Sequence, residues 1–163
     1  LDTLAQDERL LAPDERLAFL LLTHDNRWPN SDRVFMQDIL ARTTRLDDTN
    51  SLFIAQTLHA SDMKRLCSLV DFTYTGRMPL SIASLGTGTP AMPLNYQGKV
   101  EGLLMLLDIP TLNYEVSEIL DPARMAERLR EAIANRSSYS EKIRKNLPAV
   151  QQLAHNNVDV ILD

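Results

Sequence analysis

Short apolar runs alternate with amphipathic stretches along most of this chain. The first run, Leu17 to Leu22, ends at Thr23-His24-Asp25-Asn26-Arg27, and its near-continuous hydrophobicity predicts a buried strand. Asn30-Ser31-Asp32 offers helix caps, and a helix carrying Val34, Ile39 and Leu40 is expected to reach about Arg45. A second strand is expected over Ser51 to Gln56, followed by a helix capped by Ser61-Asp62. Two more apolar runs, Leu69 to Tyr74 and Ala91 to Tyr96, complete a run of strands separated by helices. That alternation predicts an α/β fold, with one parallel sheet covered by helices on both faces. Beyond about residue 120 the pattern becomes wholly helical. Asp121 should cap a helix opened by Pro122, and Met125, Leu129, Ile133, Ile143, Leu147 and Val150 form one apolar stripe. Ser137 to Ser140 is expected to break this tail into two helices, and Pro148 to kink the second. The expected domains are therefore residues 1–120, a ligand-binding α/β domain, and residues 121–163, a helical tail packed on it or on a partner domain.

Two of the strand ends share a local chemistry. Thr75-Gly76 is followed by Arg77 and a small-residue helix from Pro79 to Leu85, and Gln97-Gly98 is followed by Lys99 and another helix containing Glu101. Strand, glycine turn, cation and helix together suit an anion: turn N–H groups, the positive end of the helix dipole and a full charge converge. A phosphorylated or carboxylated ligand is the expectation. Each residue also has a plainer reading. Arg77 could be a solvated helix-start cation, Lys99 could pair with Glu101 at the surface, and Gly86-Thr87-Gly88 reads better as a helix end and turn than as a phosphate loop. Pro90 and Pro93 are expected to shape a strand's entry and edge.

Composition narrows the field. Net charge is −5, from 22 acidic and 17 basic residues, which argues against nucleic-acid binding through a general basic surface. No apolar run approaches the ~20 residues of a membrane span, and no signal peptide is visible. The single Cys67 cannot form an internal disulfide and is read as buried filler on a helix, pointing to the cytoplasm. His24, His59 and His155 are too scattered for a metal site, and no cofactor is expected. His24 and Arg27, just past the first strand, and His59, ahead of the Ser61-Asp62 helix, fall where α/β folds bind ligands. Asp32 is read as a helix cap.

The order TGRMPLSIASLG, then TPAMPLNYQGKVEGLL, resembles the C-terminal half of the polysaccharide pyruvyl transferase family over roughly residues 17 to 110. That family's pattern is Arg, a hydrophobic residue and His opening a small-residue helix, a G-x-P strand, and a Lys-x-Glu-Gly helix start. Arg77 and Met78, Pro90, and Lys99-Val100-Glu101-Gly102 match it, and Ser61 to Leu66 also fits. The resemblance implies a Rossmann-like domain of glycosyltransferase-B type. It also implies transfer of pyruvyl from phosphoenolpyruvate to hydroxyls of a glycan or lipid-linked sugar. Arg77, Lys99, Gly98, Glu101 and Arg27 would be the ligand-binding residues. Members of this family have two facing domains. Because this chain opens on Leu1 rather than Met, the resemblance points to a separate half, with an N-terminal domain missing or a second copy completing the cleft. The family histidine is replaced by Pro79, which cannot transfer a proton. A diverged member, a deliberate substitution, or relocation of the role to His24 or His59 would each account for this. Two other readings stand beside it: a sugar-nucleotide glycosyltransferase, for which Glu101 is the one candidate ribose carboxylate, and a non-catalytic sugar- or partner-binding domain.

Overall fold

The computed structural model describes residues 1–5, 16–25, 27, 31–96 and 98–162. The chain forms two compact units, Leu1–Ala60 and Ser61–Asp163. Both are α/β, and among the described residues the strands form two parallel sheets, one in each unit. The expectation of one sheet holding all the strands is thus replaced by two shorter ones.

In the first unit, helix α1 (Asp2–Ala5) precedes strand β1 (Phe19–Leu22), helix α2 (Asp32–Arg42) and strand β2 (Ser51–Ile54). β1 and β2 pair in parallel, Phe19 opposite Ser51 and Leu22 opposite Ile54. Their carboxyl ends are tied by Thr23, whose buried hydroxyl donates to the carbonyls of Ile54 and Gln56 at 3.3 and 3.4 Å. α2 ends at Arg42, short of Arg45, because Thr43 turns extended. The next two N–H groups, Thr44 and Arg45, donate to the Asp2 carboxylate. Those hydrogen bonds favour the ionised form, so the Asp2 carboxyl lies below its usual range.

The second unit runs α3 (Ala60–Cys67, starting one residue before the boundary), β3 (Thr73–Thr75), α4 (Met78–Leu85), β4 (Ala91–Asn95), α5 (Glu101–Leu106), a 3₁₀ turn at Pro110–Leu112, β5 (Tyr114–Glu115), α6 (Val116–Ile119), α7 (Pro122–Ala134) and α8 (Arg136–Leu162). The sheet order is β3-β4-β5, all parallel. β3 is shorter than the apolar run before it suggested. Ser68 and Leu69 cap the end of α3 through bonds to Lys64, Arg65 and Leu66 carbonyls, leaving Leu69 74 % exposed, and the ladder begins only where Thr73 N–H meets Pro90 O. Pro93 lies on the central strand rather than on an edge, fully buried. β5 pairs only with Leu94 and Asn95, one residue past the missing proline N–H.

The core of this unit joins the strands to the helical tail. Leu85, Ala91, Val100, Leu104, Leu107, Ile109, Leu112, Ala132 and Ile143 form one buried cluster, with Tyr139, Leu147 and Val150 packed on it. The expected stripe therefore faces inward: Leu129, Ile133 and Ile143 are buried. Asp121 caps α7 as expected, its Oδ1 accepting from the Ala123 and Arg124 N–H groups at 3.1 and 3.0 Å. The break between tail helices falls at Asn135, ahead of the serines, and Pro148 lies inside α8.

Candidate functional site

Parallel pairing puts the carboxyl ends of β3, β4 and β5 on one edge of the second unit, the edge where α/β folds bind ligands. Thr75 is in register with Pro93, and Asn95 with Glu115. Arg77, two residues beyond Thr75, therefore leaves the sheet at about the level of Asn95 and Glu115. Neighbouring strands lie ~4.8 Å apart, so an anion held at Arg77 is within reach of the next strand end.

Arg77 is the N-cap of α4, with extended backbone at φ −105°, ψ 109°. Its N–H donates to Thr75 Oγ1 at 2.9 Å, and its carbonyl accepts from Leu80 and Ser81. Pro79, exposed in the first turn, contributes no N–H. The Arg77 N–H is spent on Thr75 and that of Leu80 on Arg77. Two of the backbone donors at this helix start are thus used, and the guanidinium supplies a full positive charge beside it. No acidic residue occupies the first turn of α4, so the Arg77 charge and the positive end of the dipole add. Gly76 is exposed with open space where a Cβ would lie, so no neighbour demands a glycine there.

The second turn is less suited to an anion. Gly98 does adopt a left-handed conformation, φ +67°, and Lys99 is exposed, but α5 is only six residues long. Glu101, exposed in its first turn, already complements the dipole with negative charge. Gln97 lies outside the described residues. Gly86 is a helix cap and Gly88, at φ +86°, the turn that follows, as the plainer reading held.

Sequence reasoning missed the polar cluster on the other two strand ends. Asn95, 6 % exposed, donates from Nδ2 to Glu115 Oε1 at 3.2 Å, and Asn113 Nδ2 donates to the same oxygen at 2.9 Å. Glu115 also caps α6 in a reciprocal box with Glu118. Glu115-x-x-Glu118 has the spacing of a capping box without the Ser or Thr that marks one in sequence, so it gave no signal. Tyr74 and Tyr114 meet edge to face at 6.0 Å. Desolvation and then Tyr114 push the Tyr74 phenol up to about 12, although the residue keeps 40 % of its surface. Burial and then Glu118 raise that of Tyr114. Both phenols stay protonated near neutral pH.

His24 and Arg27 belong to the first unit. His24 N–H and Asp25 N–H donate to Asp32 Oδ2 at 3.1 and 2.8 Å, so Asp32 ties down this loop, while Ser31 is the N-cap and makes no side-chain cap bond. Arg27 forks onto the Asp25 carboxylate at 2.9 and 2.6 Å, its side chain 89 % exposed and that of Asp25 17 %. His59 and His155 are exposed, and Cys67 is buried on α3. Among the described residues no group of three or more His, Cys, Asp or Glu could hold a metal ion, and no helix is long and apolar enough to cross a membrane. No family model, curated protein or solved structure matches the chain.

Proposed function

We propose that the second unit is the donor-binding part of a pyruvyl-transferase-like enzyme of Rossmann-like, glycosyltransferase-B type, with phosphoenolpyruvate as its anionic ligand and a glycan or lipid-linked sugar as acceptor. The supporting observation is Arg77, set at the start of α4 on the carboxyl end of β3 beside the parallel end of β4. Pyruvyl transfer needs a grip on phosphate and carboxylate, a proton for the methylene carbon, and removal of a proton from an acceptor hydroxyl. A guanidinium suits the first task because its fork meets oxyanions bidentately. Lys99 and Gly98 on the β4 side, with Glu101 behind them, would line the same edge. The acceptor side would come from a further domain or a second copy.

Titrating phosphoenolpyruvate and nucleotide sugars separately against the chain by calorimetry tests this. Phosphoenolpyruvate should bind, and Arg77→Ala should weaken it by ~1.5–3 kcal/mol, the range for hydrogen bonds to charged groups, with little change in melting temperature. Preferential binding of nucleotide sugars would move the assignment to a glycosyltransferase. Unfolding of the variant with no ligand effect would make Arg77 structural.

A second reading is favoured by Pro79. Proline is comfortable in a helix's first turn, where its missing N–H has no intrahelical partner, but it has no titratable group. General acid–base help is worth ~10²–10⁴ in rate, so a scaffold with this residue is suited to binding without turnover. Tight phosphoenolpyruvate binding without product in the presence of acceptor would select that reading.

A further inference from the structure

A groove of about 340 Å³ opens on the opposite, amino edge of the same sheet. It lies between the turn after α3, the loop from α4 to β4, and the first turns of α8, and its volume is at the low end for small-ligand sites. Three of its hydroxyls are committed in one direction. Ser68 Oγ donates to Arg65 O at 2.7 Å, Thr87 Oγ1 to Ser84 O at 2.7 Å, and Ser140 Oγ to Gly88 O at 2.6 Å. A hydroxyl has one proton, so each of these oxygens is left only with acceptor capacity. Asp71 and Glu141, also on the lining, accept as well. The charged donor is Arg144, which cannot accept at all. Arg144 depends on Gly88: at φ +86°, a Cβ there would lie 3.2 Å from Arg144 Cγ and 3.3 Å from its Nε. The absent side chain lets the arginine stem lie against the turn.

We infer that this groove binds a polyhydroxylated carboxylate of the sugar-acid type, with its carboxylate at Arg144 and its hydroxyls donating to the groove's fixed acceptors. A bare oxyanion would engage Arg144 and leave the acceptors unused. A neutral sugar would do the reverse. The site is separate from the edge that carries Arg77 and does not depend on the function proposed for that edge.

The experiment is calorimetric titration of the full chain with glucuronate, glucose and inorganic phosphate. Glucuronate should saturate one site, with glucose and phosphate each at least about tenfold weaker, since each forgoes one set of charge-assisted or acceptor bonds. Arg144→Ala should weaken glucuronate at least about tenfold, on the same ground, without altering the melting temperature, because Arg144 is exposed. Arg144→Lys, which keeps the charge and loses the fork, should also bind more weakly than the unaltered chain. Arg77→Ala should leave glucuronate binding unchanged. Phosphate binding as tight as glucuronate, no saturation by glucuronate, full affinity in both Arg144 variants, or loss of glucuronate binding in Arg77→Ala would overturn the assignment.

Discussion

Asp108 shows how much one backbone angle can matter. It follows α5 in a left-handed conformation, φ 59°, as the single non-glycine residue of positive φ among those described. The N–H of Ile109 reaches Leu104 O at 2.9 Å and that of Asp108 reaches Met105 O at 3.0 Å, the paired bonds of a helix end that ordinarily takes glycine. Aspartate tolerates this region better than most residues but still carries a steric cost. Its pair with Lys142, 3.1 Å and largely exposed, offsets little of that. Asp108→Gly should therefore raise stability by ~0.5 kcal/mol, read as a higher melting temperature. A lowered melting temperature would mean that the Lys142 pair outweighs the backbone strain. Nothing in Leu106-Leu107-Asp108-Ile109 announces this position, because the helix end depends on where Ile109 and Leu112 are buried. Arg77, by contrast, was legible: cation, strand end and helix start are adjacent in sequence.

At the scale of elements, local signals worked where the chemistry is short-range. The best case is α7, with Asp121 at the cap and Pro122 in the first turn. Asp121→Ala should cost ~0.5–2 kcal/mol, and Asp121→Asn most of a unit less, since an asparagine oxygen still caps. Equal loss in both variants, measured by denaturant titration, would shift the weight from the cap bond to the charge. Strand limits were less legible. The apolar run from Leu69 to Tyr74 reads as one strand, yet its first half closes α3 and only Thr73 onward finds a partner. β5 could not be read at all. Two residues carry no period, and Tyr114-Glu115 is a strand only because Leu94 and Asn95 lie beside it. The polar cluster of Asn95, Asn113 and Glu115 went unseen for the same reason, since 20 residues separate Asn95 from Glu115.

For the molecule as a whole, the tail is part of the fold rather than an appendage to it. Ile143 on α8 is fully buried in the cluster that contains Leu85 of α4, Ala91 of β4 and Leu104 of α5. Ile143→Ala should destabilise the second unit by ~2–5 kcal/mol through lost burial and a residual cavity. Unfolding monitored through both units should show the loss in the transition of Ser61–Asp163. A cost below ~1 kcal/mol would mean that α8 is only loosely docked. The division into Leu1–Ala60 and Ser61–Asp163 was not readable from the apolar pattern, which runs through the Ala60–Ser61 boundary inside α3.

By itself, the sequence determined the elements that depend on near neighbours: the α/β alternation, the parallel sense of short apolar strands, the Asp121 cap, the inward stripe of the tail and the cation that opens α4. Each of these is set by spacing over a few residues. Tertiary structure alone decided how many sheets there are, that Pro93 sits on a central strand, that Asn95, Asn113 and Glu115 share one carboxylate oxygen, and that Gly88 gives its space to Arg144. Those outcomes depend on which distant segments share the same space, and periodicity along the chain holds no record of that.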